Sequence, residues 1–234
     1  MALVAILGMH RSGTSAVAGM LAEHGVEFGP VRMRNRFNRR GNRELPELNH
    51  LHDELLERSG GSWWDPPASV RVEPGDVRRR DKILATVRGD VVAVKDPRML
   101  VCPGLWGDLE LQRIGVIRNP VSVRRSLARR AAERPHRHPR FSDRQWEDVW
   151  VRYNQALLDE HSRSPFPVID FDRSAELPRQ VSTALSFWNL EARVDSMVFD
   201  PNLVQHAGHS AWRPEARSAR ALDLWDELAA LAAT

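Results

Sequence analysis

Apolar residues along the chain take two recurring forms. Residues 3–7, 91–94, 114–117 and 166–171 are short, nearly continuous apolar runs, the form of strands buried on both faces of a parallel sheet. Between them apolar residues recur three and four apart, as in helices that bury one stripe. The first run ends at Gly8. A helix over 14–24 follows it, with Val17, Met20 and Leu21 on one side and Gly25 placed to end it. Residues 30–43 lack periodicity and read as a loop. A helix over 45–58 is stopped by Gly60-Gly61, and Trp63-Trp64-Asp65-Pro66-Pro67 is a turn-rich aromatic segment. Further helices are predicted over 76–87, over 121–132 with Pro120 at the first position, and after Ser142, which forms a capping box with Gln145. Trp146, Val149, Trp150, Tyr153 and Leu157 share one face of that last helix. Val181, Leu185 and Trp188 mark a helix after the final strand, and 216–231 is the last helix. Strands alternating with helices over 234 residues predict one α/β domain built on a parallel sheet. There is no internal repeat, and the Pro/Arg/His stretch at 134–140 reads as a surface loop.

Composition narrows the class. With 42% hydrophobic and 28% charged residues the chain is too apolar to be disordered. No run approaches the ~18 apolar residues of a membrane span. The beginning lacks a basic n-region and reaches Gly8 and Arg11 too early for a signal peptide, so the expectation is a soluble, cytoplasmic protein. Cys102 is the sole cysteine, which excludes an intramolecular disulfide and a cysteine-rich zinc site. The net charge is only +3, but it is unevenly spread. Ten arginines fall between 113 and 144 against Glu133 and Asp143, and six fall between 32 and 43 with no acid. Such clusters suit a polyanion, either a phosphorylated small molecule or nucleic acid; scattered over a solvated face, they would serve solubility alone. Lys82 and Lys95 are the only lysines among 34 basic residues. In so arginine-biased a chain, a retained lysine marks a place for a compact ammonium.

The chemistry sits where strands end. Gly8-Met9-His10-Arg11-Ser12-Gly13-Thr14-Ser15 joins the first strand to the first helix. Its glycines have the spacing of the phosphate-cradling G-x-x-x-x-G-K-[ST] loop, and Ser15 fits, but Thr14 stands where the lysine belongs. Backbone N–H groups and a helix N-terminus still favour an anion, and Arg11 brings a cation into the loop. The ammonium that reaches the β/γ-phosphates of a nucleoside triphosphate is missing. A second candidate is Arg118 at a strand end with Ser126 on the next helix; with Arg124, Arg125 and Arg129 they make an anion pocket at the sheet's functional edge. Arg129 and Arg130 alternatively cover the helix surface. Lys95 also ends a buried strand, in Val94-Lys95-Asp96-Pro97-Arg98, where Asp96-Pro97 alternatively reads as a simple turn.

His10-Arg11-Ser12-Gly13-Thr14-Ser15 resembles the 5′-phosphosulfate loop of sulfotransferases that use 3′-phosphoadenosine-5′-phosphosulfate (PAPS), of the bacterial type. Arg118-Asn119-Pro120-Val121-Ser122-Val123-Arg124-Arg125-Ser126-Leu127 resembles that family's second signature. The resemblance runs from residue 2 to about 189. It implies a three-layer sandwich around a central parallel sheet, similar to P-loop nucleotide-binding proteins, within one domain over 1–234. In this likeness His10 to Ser15 hold the 5′-phosphosulfate, Arg118 and Ser126 bind the 3′-phosphate, and no metal is needed. Lys95 and Arg11 stabilise charge passing to the leaving phosphate. Asp96 is placed to orient Lys95, and Arg98 to face substrate or cofactor. Gly41-Asn42-Arg43-Glu44 matches an element that supplies a general base, making Glu44 the candidate; it alternatively interacts with a helix dipole. His10, His24, His50 and His52 are rivals, since related enzymes use histidine. Residues 30–70 are expected on the acceptor side. Residues 200–215, with Asp200-Pro201-Asn202-Leu203 and His206-Ala207-Gly208-His209, are expected to cover the cofactor. Trp188, Phe187, Trp63 and Trp64 are candidates to stack on adenine, Trp188 being alternatively core.

The expected activity is transfer of a sulfuryl group from PAPS to a hydroxyl or amine of a small-molecule or carbohydrate acceptor, with no specific nucleic-acid partner. Two alternatives stand: a P-loop kinase acting on a small molecule, with Asp96 as its one acid at a strand end, and a non-catalytic nucleotide- or nucleic-acid-binding protein. The pattern leaves the oligomeric state open.

Overall fold

The structure is a computed structural model and describes residues 2–31, 41–133, 138–190 and 212–232. Its elements run β1 (Ala2–Leu7), α1 (Thr14–Glu23), α2 (Pro46–Arg58), α3 (Pro74–Leu84), β2 (Val91–Lys95), β3 (Gln112–Ile117), α4 (Pro120–Glu133), α5 (Asp143–Arg163), β4 (Val168–Asp170), α6 (Leu177–Phe187) and α7 (Ala219–Leu231). The four strands form one sheet in the order β2-β1-β3-β4, every neighbouring pair parallel. Ile6 lies opposite Lys95, and Leu7 opposite Gly115. Glu27 adds a single parallel bridge to Val92 at the outer edge of β2.

The continuous apolar runs are explained by two cores. Val4, Ile6, Ala93, Ile114, Val116 and Ile169 face one side and pack with Val17 and Leu21 of α1 and Val181 and Leu185 of α6. Their neighbours Ala5, Leu7, Val92, Val94, Ile117 and Val168 face the other side, with Leu51 and Leu55 of α2, Leu127 of α4, Trp150 and Leu157 of α5, and Leu224 of α7. Each strand therefore needs apolar side chains at successive positions. The result is the expected three-layer α/β sandwich.

Element ends differ from expectation where a cap or a proline decides them. The last strand is shorter than 166–171 because Pro167 has no N–H to give. Its carbonyl still accepts from Gly115 N at 2.9 Å, and Phe171 N donates to Ile117 O at 2.9 Å. Helix α3 begins at Pro74 rather than 76 because Glu73 and Asp76 form a reciprocal capping box. Helix α7 begins at Ala219, where Ser218 Oγ accepts from Ala221 N. The Ser142/Gln145 box at the start of α5 forms as expected. No helix among the described residues is long and apolar enough to cross a membrane.

One buried ion pair ties the second helical layer together. Glu147 of α5 is fully buried and accepts from Arg124 Nη1 of α4 at 2.7 Å; its other oxygen accepts from Arg217 N at 2.7 Å. Arg124 also donates to the Glu215 carbonyl at 3.0 Å. Arg125 pairs with the Glu215 carboxylate. Arg124 and Arg125 thus hold α4 against α5 and the segment before α7, and the structure does not place them in an anion pocket. Removing one partner strands a buried charge, which costs about 3–5 kcal/mol. Glu147→Ala is expected to lower the unfolding free energy by about that amount, read as a shifted urea midpoint with an unchanged slope.

Candidate active site

The loop after β1 is shaped by two left-handed residues, Arg11 at φ 71° and Gly13 at φ 95°. A Cβ on Gly8 would lie 2.5 Å from the Val116 carbonyl oxygen, so the chain leaves β1 pressed against β3. A Cβ on Gly13 would lie 2.3 Å from the Phe171 ring. Gly13 offers no side chain to cap α1, so the first-turn N–H groups can face an anion. Ser12 is fully buried, and its Oγ has no hydrogen-bond partner among the described residues.

Arg11 and Arg118 bring the two arginine-bearing motifs together. Arg11 Nε donates to Ser126 Oγ at 2.8 Å, and Arg118 Nη1 donates to the Arg11 carbonyl at 3.4 Å. Burial pulls the Arg11 guanidinium down to about 10, helped by the nearby charges of Arg130, Arg118 and Arg129. It stays cationic at neutral pH. Burial also lowers Arg118, with Asp172 opposing the shift. Arg118 Nε lies 3.5 Å from Asp172 Oδ1, and its guanidinium sits 5.3 Å from the centre of the Phe171 ring. Asn119 caps α4: its Oδ1 accepts from Ser122 N at 2.8 Å. Arg11, Arg118, Ser126 and the loop therefore stand together as one positively charged group.

On the other side of the loop lies a second group. Lys95, almost fully buried, leaves β2 with its Nζ 2.5 Å from Glu44 Oε1 and donates to Ser15 Oγ at 3.1 Å. Asn49 Nδ2 of α2 donates to the other Glu44 oxygen at 2.8 Å. Left-handed backbone at Gly41 and Arg43 precedes Glu44. The sequence candidates Lys95, Glu44 and Ser15 thus meet, from three separate elements.

Asp96 does not orient Lys95. It is fully buried; Oδ1 accepts from Arg98 N and Arg98 Nη1, each at 3.0 Å, and Oδ2 faces His52 Nδ1 at 2.8 Å. Those partners hold its carboxyl well below the usual range, against the effect of burial. Arg98 is clamped by Asp96 and by Asp53, whose Oδ1 lies 2.6 Å from Nε. It is a bridge between α2 and the end of β2 and does not face an open site.

The histidines separate clearly. His52 Nε2 accepts from the Trp106 indole at 3.1 Å, so Nδ1 carries the hydrogen given to Asp96; both nitrogens are used. His24 Nδ1 donates to the Met20 carbonyl at the end of α1, and exposed His50 pairs with Glu54 at 3.2 Å. His10 lies in the loop against Trp63, ring centres 4.4 Å apart, with Tyr153 at 5.9 Å. Burial and the Arg98 charge hold His10 well below its ordinary value, so it is neutral. Trp63 is buried, with Trp64 edge-on at 5.3 Å. Trp188 donates to the Arg113 carbonyl at the start of β3, and Phe187 adjoins it. Both lie at the opposite end of the sheet from the loop and cannot stack on a nucleotide there. The buried Cys102 thiol is pushed up to about 12 by burial. Residues 32–40 and 200–211, including His206 and His209, lie outside the described residues. Among the described residues no group of three His, Cys, Asp or Glu could hold a metal ion.

Sequence reasoning missed Phe171 and Asp172. The available signal was position: both directly follow β4 at the strand ends where such folds bind ligands.

No protein-family model and no curated protein matches the chain. Two solved structures share its fold. One is the sulfotransferase domain from the Synechococcus PCC 7002 olefin synthase, with TM-score 0.56 and 16% identity over 97% of this chain and 94% of that one. The other is the sulfotransferase domain from the curacin biosynthetic pathway, with TM-score 0.57 and 16% identity over 98% of each chain. The chain has the sulfotransferase fold along nearly its whole length.

Asp170, at the end of β4, makes the stability of the fold sensitive to pH. Burial raises its carboxyl from 3.8 to about 6, against the hydrogen bond from Asp172 N and with the Asp172 charge adding to the rise. A raised carboxyl contributes stability while protonated and loses it as pH rises through 6. Asp170→Asn keeps an oxygen to accept from Asp172 N and removes that loss. The variant is expected to gain on the parent between pH 4 and 7.5, by on the order of 2 kcal/mol in paired denaturation curves.

Proposed function

We propose that this chain transfers a sulfuryl group from PAPS to a hydroxyl or amine of a small-molecule or carbohydrate acceptor. The observation that carries the reading is the junction at Arg11. One residue of the loop ties the helix carrying Ser126 to the strand end carrying Arg118, so two anion-binding motifs become one pocket. A donor with phosphate at both the 5′ and 3′ positions suits that arrangement. The residues fit such a group on their own chemistry: burial and the neighbouring guanidiniums depress the Arg11 pKa, and Ser12 Oγ is buried without a partner among the described residues.

When bound, PAPS supplies the sulfuryl group and a 3′,5′-bisphosphate leaving group. The loop amides and Ser12 hold the 5′-side anion, while Arg118 and Ser126 hold the 3′-phosphate. Lys95, 3.1 Å from Ser15 of the loop, supplies fixed positive charge where negative charge accumulates. Arg11 lies close enough to both motifs to add to it. Glu44 takes the acceptor's proton; Asn49 keeps its carboxylate aimed while Lys95 turns toward the leaving oxygen. His10, expected in the same phosphosulfate loop, packs against Trp63 and Tyr153.

The kinase alternative fares worse on a specific contact. The strand-end acid that reading relied on, Asp96, is buried and engaged by Arg98 and His52. The binding-protein alternative loses Arg124, Arg125 and Arg98 to internal ion pairs.

Calorimetric titration with 3′-phosphoadenosine-5′-phosphate, beside ATP with magnesium, tests the reading. Metal-independent binding of the bisphosphate is expected, weakened about tenfold or more by Arg118→Ala and several-fold by Ser126→Ala. Binding of magnesium-ATP without binding of the bisphosphate overturns the reading. Lys95→Ala is expected to slow sulfuryl transfer from labelled PAPS by about 10²–10³-fold while bisphosphate affinity changes far less.

A further inference from the structure

Directly after β4, two residues touch both halves of the pocket. The Phe171 ring lies where a side chain on Gly13 would be, 2.3 Å from an ideal Cβ, so the left-handed turn of the loop closes on that ring. The same ring lies 5.3 Å from the Arg118 guanidinium. Asp172 reaches the other motif. Its Oδ2 accepts from Asn119 N at 2.7 Å and from Asn119 Nδ2 at 2.8 Å, and its Oδ1 lies 3.5 Å from Arg118 Nε. Asp170 Oδ1 in turn accepts from Asp172 N at 2.9 Å, fixing the bend that sends Phe171 and Asp172 in these directions.

We propose that Phe171 and Asp172 are positioning residues that set Arg118 at a fixed distance from the Gly13 turn, so that the pocket selects nucleotides carrying both a 5′- and a 3′-phosphate. The inference rests on the bisphosphate reading above and extends it to the residues that enforce it. Arg118 ends a strand and has a long, flexible side chain, and an arginine in that position has many rotamers. Asp172 Oδ1 stands 3.5 Å from Nε, an ion-pair contact on the stem side of the guanidinium, while Nη1 donates to the Arg11 carbonyl at the loop. Phe171 supports the flat face. A guanidinium held at its stem and on its face keeps one orientation, and less freedom is lost when a phosphate arrives. Charge alone predicts the reverse: removing the Asp172 carboxylate would make the pocket more positive and tighten phosphate binding. The two roles therefore differ in sign.

The test compares 3′-phosphoadenosine-5′-phosphate with 5′-AMP, which lacks the 3′-phosphate, on the full chain. For Asp172→Asn, bisphosphate affinity is expected to fall about tenfold with 5′-AMP affinity unchanged, so discrimination collapses. Phe171→Leu, which retains apolar bulk, is expected to weaken both ligands because it loosens the Gly13 turn as well as Arg118. Unchanged or increased discrimination in Asp172→Asn overturns the proposal, as does an equal loss for both ligands in that variant. If the parent chain already fails to prefer the bisphosphate, the function reading falls together with this one, and the parent titration identifies that failure separately.

Discussion

The parallel pairing of β1 with β2 on one side and β3 on the other determines where every reactive group of this chain can stand. Ile6 is opposite Lys95 and Leu7 is opposite Gly115. Three strands therefore finish within a residue or two of one another, and all finish at the same edge. The loop that follows Leu7 must pass between whatever follows Lys95 and whatever follows Ile117. Lys95 can reach Ser15, and Arg118 can reach the Arg11 carbonyl, only because their strands share that register. An antiparallel neighbour would have carried one of these cations to the far end of the sheet. The Phe171–Asp172 bend joins the same edge because β4 extends the parallel order beyond β3.

Concentrating cations at a buried edge is costly, and the chain meets the cost in two ways. Lys95, Arg98 and Arg124 are buried with carboxylates: Glu44, Asp96 with Asp53, and Glu147. Arg98 is held charged more firmly than an ordinary arginine, because Asp96 and Asp53 outweigh the effect of burial. Arg11 follows another course. Its side chain is buried against a neutral hydroxyl, and its electrostatic neighbours are other arginines, so its pKa falls to about 10. A guanidinium in that condition gains from an incoming anion what Arg98 already obtains from its own carboxylates. The contrast separates cations neutralised by carboxylates within the fold from Arg11, whose hydrogen-bond partner is a neutral hydroxyl, and Lys95 stands between them. It is paired, but with a residue on a segment that can also serve chemistry.

Most strands and helices were legible in the sequence, because apolar runs, glycine spacing and capping pairs are local signals, although a proline or a cap moved the bounds of β4 and the starts of α3 and α7. Gly8 to Ser15, Arg118 with Ser126, Lys95 and Glu44 could be singled out for the same reason. Direction was also readable in principle. A helix that follows a parallel strand runs back along the sheet, so Trp188 at the end of α6 had to finish away from the loop, beside Arg113. Partners were not readable. Arg124 and Glu147 are 23 positions apart, Asp96 and His52 are 44 apart, and nothing near either residue announces the pairing. Asp96 beside Lys95 suggested cooperation between neighbours. In a strand, however, successive side chains point to opposite faces, and these two adjacent residues contact different groups.

The same alternation of direction gives the loop its division of labour. His10 turns toward Trp63 and Tyr153, on the side of α2 and α5, whereas Arg11 turns toward Ser126 of α4. What separates them is the left-handed backbone at Arg11, a conformation that costs a non-glycine residue on the order of 1 kcal/mol. Glycine would adopt it without that cost, but glycine has no guanidinium to reach Ser126. The strain is tolerated because this position must supply both the bend and the cation. A loop built in this way presents two different faces, one toward Ser126 and Arg118 and the other toward Trp63 and Tyr153. On the proposed function, donor and acceptor would approach opposite sides of the same few residues, as in-line displacement at sulfur requires.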